Sequence, residues 1–167
     1  MVEVLKVTEA EPAAYPAAPV TATVDNATVW KRIEGWVRHR WGEREVVWIV
    51  QGPGTWEPPL MPYTVTAAEV WRNSTWESVT LTDDPVGYDL DIATYRITAT
   101  VGDTEDPPPI VTEAYARLAE YLDQARADAA PGHTSGQDGD YSFSRSAGWA
   151  ARAIHNSGAG DLLRAFR

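Results

Sequence analysis

At 167 residues the chain is long enough to bury a core without covalent staples. Its formal net charge of -10 argues against a protein that wraps nucleic acid, because that requires clustered Lys and Arg. It has no cysteine, which removes disulfides and thiolate chemistry. The start MVEVLKVTEAEP is neither basic nor continuously apolar, and no stretch approaches the roughly 18 apolar residues that cross a bilayer, so no signal peptide, no membrane partner and a cytoplasmic origin are expected.

Residues 1–24 begin with an alternating Val2, Val4, Leu5, Val7 and continue as EPAAYPAAPVTATV, whose three prolines exclude a regular helix. The reading is an extended N-terminal arm, adding an edge strand or lying over a neighbour, with a disordered or loosely packed terminus as the equal alternative. Asp25 or Asn26, with Thr28 as alternative, caps a helix running to about residue 39, with Trp30, Ile33, Val37 and Trp41 on one stripe. Val46–Val50 (VVWIV) reads as a central strand. Gln51–Pro62 is a punctuated loop without the Lys or spacing of a phosphate cradle.

Strands are expected at Tyr63–Arg72, Trp76–Thr82 and Thr94–Val101, with a short one near Gly87–Asp91. Asn73-Ser74 makes the corner between the first two, and Asp83-Asp84-Pro85 a turn. Pro107–Pro109 open a long helix reaching Ala130, with Ile110, Ala114, Leu118 and Leu122 on its stripe, widened by Val111, Tyr115 and Tyr121. Glu113 and Arg117 form an i,i+4 pair on its outer side. The segment 130–141 is polar and glycine-rich, hence a loop. Ser144 or Ser146 caps a second helix over Ala147–Asn156, burying Trp149, Ala153 and Ile154. Asn156-Ser157-Gly158 ends it. Leu163 and Phe166 allow one further helical turn.

Charge is segregated. Residues 29–50 hold five Lys/Arg against three Glu, and 51–100 hold seven acids against two bases. Such segregation orients partners or subunits. Seven of the eight Trp fall between Trp30 and Trp76. Core and interface use rank above a sugar-stacking platform, because large aromatics supply area at low rotamer cost.

The residues give no catalytic site and no cofactor. His39, His133 and His155 are scattered, and no HExxH, paired HxH or cysteine set suggests a metal. Asp83, Asp84, Asp89 and Asp91 could converge on calcium or a glycosidic bond. Their spacing is not that of a calcium loop, and Pro85 favours a turn. Ser142, Ser144, Ser146 and His155 could in principle meet Asp140, but there is no GxSxG elbow and the spacing fits loops and caps. A non-enzymatic assembly component is expected.

VTEAYARLAEYLDQA (111–125) followed by SGAGDLLRAFR (157–167) resembles the end of head–tail connector proteins, or adaptors, of long-tailed bacteriophages and of related gene transfer agents. The likeness extends to Trp30–Leu60 and Tyr95–Gly102, about half the chain in all. It implies a helical connector scaffold within an α+β chain, here carrying an antiparallel β-rich insertion at about 46–101. The layout is then an arm at 1–24, a single domain at 25–157 and an anchoring tail at 158–167. The resemblance implies a homo-oligomeric ring of about a dozen copies beneath a portal protein, in a virion neck assembled in the host cytoplasm. A downstream stopper or tail protein would sit below it, and DNA would pass through the lumen without sequence-specific binding. Asp161, Leu162, Leu163, Arg164, Phe166 and Arg167 become the portal contacts. Gly158 and Gly160 raise the entropy cost of holding the tail alone, so it is expected to be mobile before docking. Lys31, Arg32, Arg38 and Arg40 of one subunit would face Glu113 and Glu120 of the next, and Asp123, Asp128, Asp138 and Asp140 would line the channel. The alternatives are a stopper or tail terminator, whose hallmark is more sheet, and a carbohydrate- or ligand-binding module. The last requires several of Trp56, Trp71 and Trp76 exposed on one face.

Overall fold

The computed structural model describes residues 1–128, 135–138, 141–144 and 152–167. The chain is α+β: a strand and a helix, a β-rich centre, a long helix, and short helices at the end. It forms two compact units, one from Met1–Ala14 with Arg38–Glu105, the other from Tyr15–Val37 with Asp106–Arg167. The first residues form an edge strand of a sheet, one of the two forms expected for the N-terminal arm.

In the first unit a five-stranded antiparallel sheet has the order β1-β2-β8-β4-β5, from strands Glu3–Glu9 (β1), Arg44–Gln51 (β2), Thr94–Val101 (β8), Tyr63–Arg72 (β4) and Thr75–Ser78 (β5). A smaller sheet, β3-β7-β6, is built from Gly54–Trp56 (β3), Gly87–Leu90 (β7) and Thr82–Asp84 (β6). The expected strand over Trp76–Thr82 is thus split: β5 ends at Ser78, and the chain re-enters the second sheet at Thr82.

Register decides which side is core. Val46, Trp48 and Val50 sit opposite Ala99, Ile97 and Tyr95, and Ala68 and Val70 flank the same residues from β4. All of these are buried. Fully burying one such large side chain contributes roughly 1.5–3 kcal/mol. Val47 and Ile49 point the other way and are only half-buried, so the VVWIV run is a central strand sealed on one face. Trp48 of the large sheet meets Trp56 of the small one at 5.6 Å between ring centroids. Within the small sheet, β7 comes close to β3 at Gly87, where a Cβ would collide with the Trp56 carbonyl oxygen. Asn73 and Ser74 both have positive φ (48° and 63°), the two-residue turn whose twist matches a hairpin, and they join Arg72 to Thr75.

In the second unit, helix α1 spans Asn26–Glu34. Asp25 caps it, accepting from the Thr28 N–H at 2.9 Å. The expected continuation to residue 39 does not occur. The Gly35 N–H returns to the Lys31 carbonyl, and that of Trp36 to the Ile33 carbonyl, closing the last turn. The following residues find partners across the first unit instead: the Arg40 N–H bonds to the Met61 carbonyl and the Gly42 N–H to that of Asp103. Trp41 is buried there, away from the helical stripe its spacing suggested.

Helix α2, Pro109–Asp128, buries Val111, Ala114, Tyr115, Leu118, Ala119, Leu122 and Ala125. The stripe therefore starts at Val111, and Ile110 is 44% exposed. Trp30 packs on Tyr115 at 5.1 Å. The Tyr115 hydroxyl donates to Asn26 Oδ1 at 2.8 Å, and the Pro16 carbonyl accepts from both Asn26 Nδ2 and Trp30 Nε1.

Within the segment expected to be a loop, Ser135–Asp138 (β9) and Tyr141–Ser144 (β10) pair as a hairpin. Backbone pairing needs no apolar side chain, which is why polarity alone missed it. Ser144 lies in β10, and the expected cap Ser146 and helix start at Ala147–Ala151, with Trp149, lie outside the described residues. Helix α3 covers Ala153–Asn156. Gly158 follows in the left-handed region at φ 75°, and α4 spans Ala159–Leu162 before a 3₁₀ turn at Arg164–Phe166.

Candidate interaction site

The C-terminal segment is folded. Leu163 is completely buried and Ala159 with it, while Leu162 and Phe166 are half-buried. Arg167 places its guanidinium 3.9 Å from the Trp36 ring centroid, and His155 stands edge-on to the same indole at 4.6 Å. Gly160 lies against Trp36, where a Cβ would sit 3.4 Å from the ring, so the turn can lie close to the indole. Asn156 Nδ2 donates to the Tyr121 hydroxyl at 3.0 Å, tying α3 to α2.

The six residues expected to reach for a partner therefore divide. Leu163 is buried, and the exposed Arg167 lies over the Trp36 ring. Asp161 and Arg164, joined at 2.6 Å, have side chains 73% and 78% exposed. Leu162 and Phe166 present part of their apolar surface beside them. An expectation of a loose tail with every apolar residue free is corrected for Leu163, because burial in its own unit already satisfies it. Trp36, Tyr121 and His155 were not foreseen as the seat of the C-terminus. Nothing local in the sequence links residue 36 to residue 167.

The expected inter-subunit residues are also divided. Lys31 and Arg32 lie exposed in the last turn of α1, where cations complement the helix dipole. Arg38 and Arg40 are not on that helix. Arg38 donates to the Pro58 and Pro59 carbonyls and pairs with Glu57 at 3.3 Å. Arg40 and the buried Arg44 both grip Glu9, at 2.7 and 3.0 Å, fixing β1 to the first unit. Glu113 pairs with Arg117 at 2.8 Å as the i,i+4 spacing implied, and Glu120 accepts from Gln124.

Of the acids assigned to a channel, Asp123 has an internal task. It accepts from Thr23 N–H, Thr23 Oγ1 and Val24 N–H at 2.8, 2.6 and 2.9 Å, and these bonds hold its carboxyl below the usual range. The side chains of Asp128 and Asp138, and all of Asp140, lie outside the described residues.

In the first unit, His39 Nε2 is 3.5 Å from Asp103, and its ring lies 4.5 Å from that of Trp41. Burial lowers its pKa despite the opposing pull of Asp103. Asp84, the last residue of β6, accepts from Val86 N–H, a turn role, and from Thr55 Oγ1 of β3. Among the described residues no three His, Cys, Asp or Glu side chains are grouped to hold a metal ion. No helix among them is long and apolar enough to cross a membrane.

The three tryptophans named for a sugar platform divide: Trp71 and Trp76 stand opposite each other on one face, and Trp56 does not join them. Trp56 is buried, Trp71 is 45% exposed, and Trp76 is tilted against Trp71 with the Arg96 guanidinium 4.7 Å over its ring. No family model matches the sequence, and no match was found among curated proteins or solved structures.

Proposed function

We propose that the chain is a head–tail connector subunit, forming a ring beneath a portal protein in the neck of a phage-like particle and letting DNA pass. One observation carries this reading: the C-terminal turn is pre-organised, clamped by Leu163 and by Arg167 on Trp36, with a mixed apolar and charged face left outward. Rigid presentation lowers the ordering cost of docking. The proposed portal contacts are accordingly Asp161, Leu162, Arg164 and Phe166, while Leu163 and Arg167 support them.

Co-purification with a portal ring tests the proposal. Leu162→Asp with Phe166→Asp is expected to abolish capture while the circular dichroism spectrum stays unchanged. Undiminished capture overturns it. A stopper or tail terminator is the second reading, favoured by the two sheets of the first unit. It predicts capture by a connector or tail-tube protein and none by the portal.

A further inference from the structure

The large sheet ends in two edges, β1 and β5. Every residue of β1 is exposed, including Val4, Leu5 and Val7 at 40%, 52% and 48%. A long exposed edge with apolar side chains invites another strand. We infer that these edges are the two halves of one joint, β5 of one copy pairing with β1 of the next. This rests on the ring-forming reading above and names the surface that closes the ring.

Strand direction comes first. All four neighbouring pairs of the sheet are antiparallel, so four reversals leave β1 and β5 running the same way. A copy added by rotation about an axis along the strands keeps that direction. The joint is then a parallel pair and the contact is heterologous, the kind that closes into a ring. Pairing β1 with another β1 is a poorer solution: the antiparallel register that uses all seven residues sets Lys6 against Lys6 and Glu3 against Glu9, and like charges directly opposite destabilise.

Side-chain faces agree with the same joint. Lys6 and Thr8 sit opposite Ile49 and Val47, on the outer face. Trp76 and Ser78 sit opposite Trp71 and Glu69, on that face too. Both pairs are two residues apart along strands of equal direction, so one register places Lys6 beside Trp76 and Thr8 beside Ser78. The corner that receives Lys6 already seats a cation: Arg96 lies over Trp76 and is hydrogen-bonded to Glu69 at 2.5 Å. The half-exposed Trp71 leaves aromatic surface for a second one. On the other face, Val4 and Val7 continue the row of Val50 and Trp48 past the edge of the core, and the same register sets Val7 beside Glu77.

The chain has no cysteine, so a cross-link reads this joint directly. In one sheet, β1 and β5 are four strand spacings apart, roughly 19 Å, whereas a disulfide needs Cα atoms within about 7 Å. A Thr8→Cys, Ser78→Cys double variant can therefore close this bond only between copies. Upon oxidation it is expected to give a ladder of covalent oligomers ending at a closed ring, with each single variant giving none. Adding Lys6→Glu is expected to reduce the ladder at least several-fold with an unchanged circular dichroism spectrum. Dimers from Thr8→Cys alone, or no ladder from the double variant, overturn the joint. Rings seen by native mass spectrometry without a ladder overturn the joint and leave the connector reading intact. A ladder from a protein that no portal ring captures upholds the joint and overturns the connector reading.

Discussion

The Arg167 guanidinium lies over the Trp36 ring, 3.9 Å from its centroid, so the last residue of the chain is held by one that closely follows the first helix. This contact, together with the burial of Leu163, makes the C-terminus a fixed surface. An exposed cation–π pair is worth about 0.5–1 kcal/mol. Arg167→Gln is therefore expected to leave global stability nearly unchanged and to speed trimming of the C-terminal residues in limited proteolysis, followed by mass spectrometry. Equal trimming rates in wild type and variant would contradict the clamp.

Leu163 contributes more. Removing a fully buried leucine costs about 2–5 kcal/mol, the lost transfer free energy plus the cavity. Leu163→Ala is expected to lower the urea midpoint accordingly. Leu162→Ala, half-exposed, is expected to lower it by less than half as much.

Asp123 gives an acid-range signature. Its carboxyl is held below the ordinary value of 3.8 by the bonds from Thr23 and Val24. The stabilisation is fully present above that ordinary value and is lost as pH falls through the folded-state value. Asp123→Asn is expected to be less stable at neutral pH and to show a flatter loss of stability below pH 4, measured by urea denaturation across pH.

His39 acts at milder pH. Burial lowers its pKa from 6.5, so the unfolded chain binds the proton more readily than the folded one. Its contribution is fully present above 6.5 and falls as pH drops below that value through the lowered one. His39→Gln is expected to flatten the stability profile of the first unit between about pH 7 and 5.

The hairpin turn offers a stabilising change. Ser74 holds a positive φ of 63°, a conformation that suits glycine at this position of the turn. Ser74→Gly is expected to raise stability by about 0.5–1 kcal/mol, checked by the shift in thermal midpoint. A fall would show that the Ser74 conformation carries no strain.

Of the tryptophans on which the glycan-module alternative depended, Trp56 packs where the two sheets meet, while Trp71 and Trp76 share one face with the Arg96 guanidinium over Trp76. The density of Trp was visible in the sequence, but the burial of Trp48 was decided by the register of β2 against β8.

Local chemistry was legible in the sequence by itself. The strand at Tyr63–Arg72, the strand at Thr94–Val101, the Asn73-Ser74 corner, the Asp25 cap and the Glu113–Arg117 pair all depend on neighbours a few residues apart. Proline, alternating side chains and short polar caps encode such features directly. Long-range closure was not legible. Helix α1 stops at Glu34 because the backbone donors of Arg40 and Gly42 find acceptors at Met61 and Asp103. Arg167 is held because Trp36 lies under its guanidinium, and Asp123 is occupied because Thr23 and Val24 reach it. In each case the deciding partner lies far along the chain, and spacing within a segment carries no record of which distant group will satisfy it.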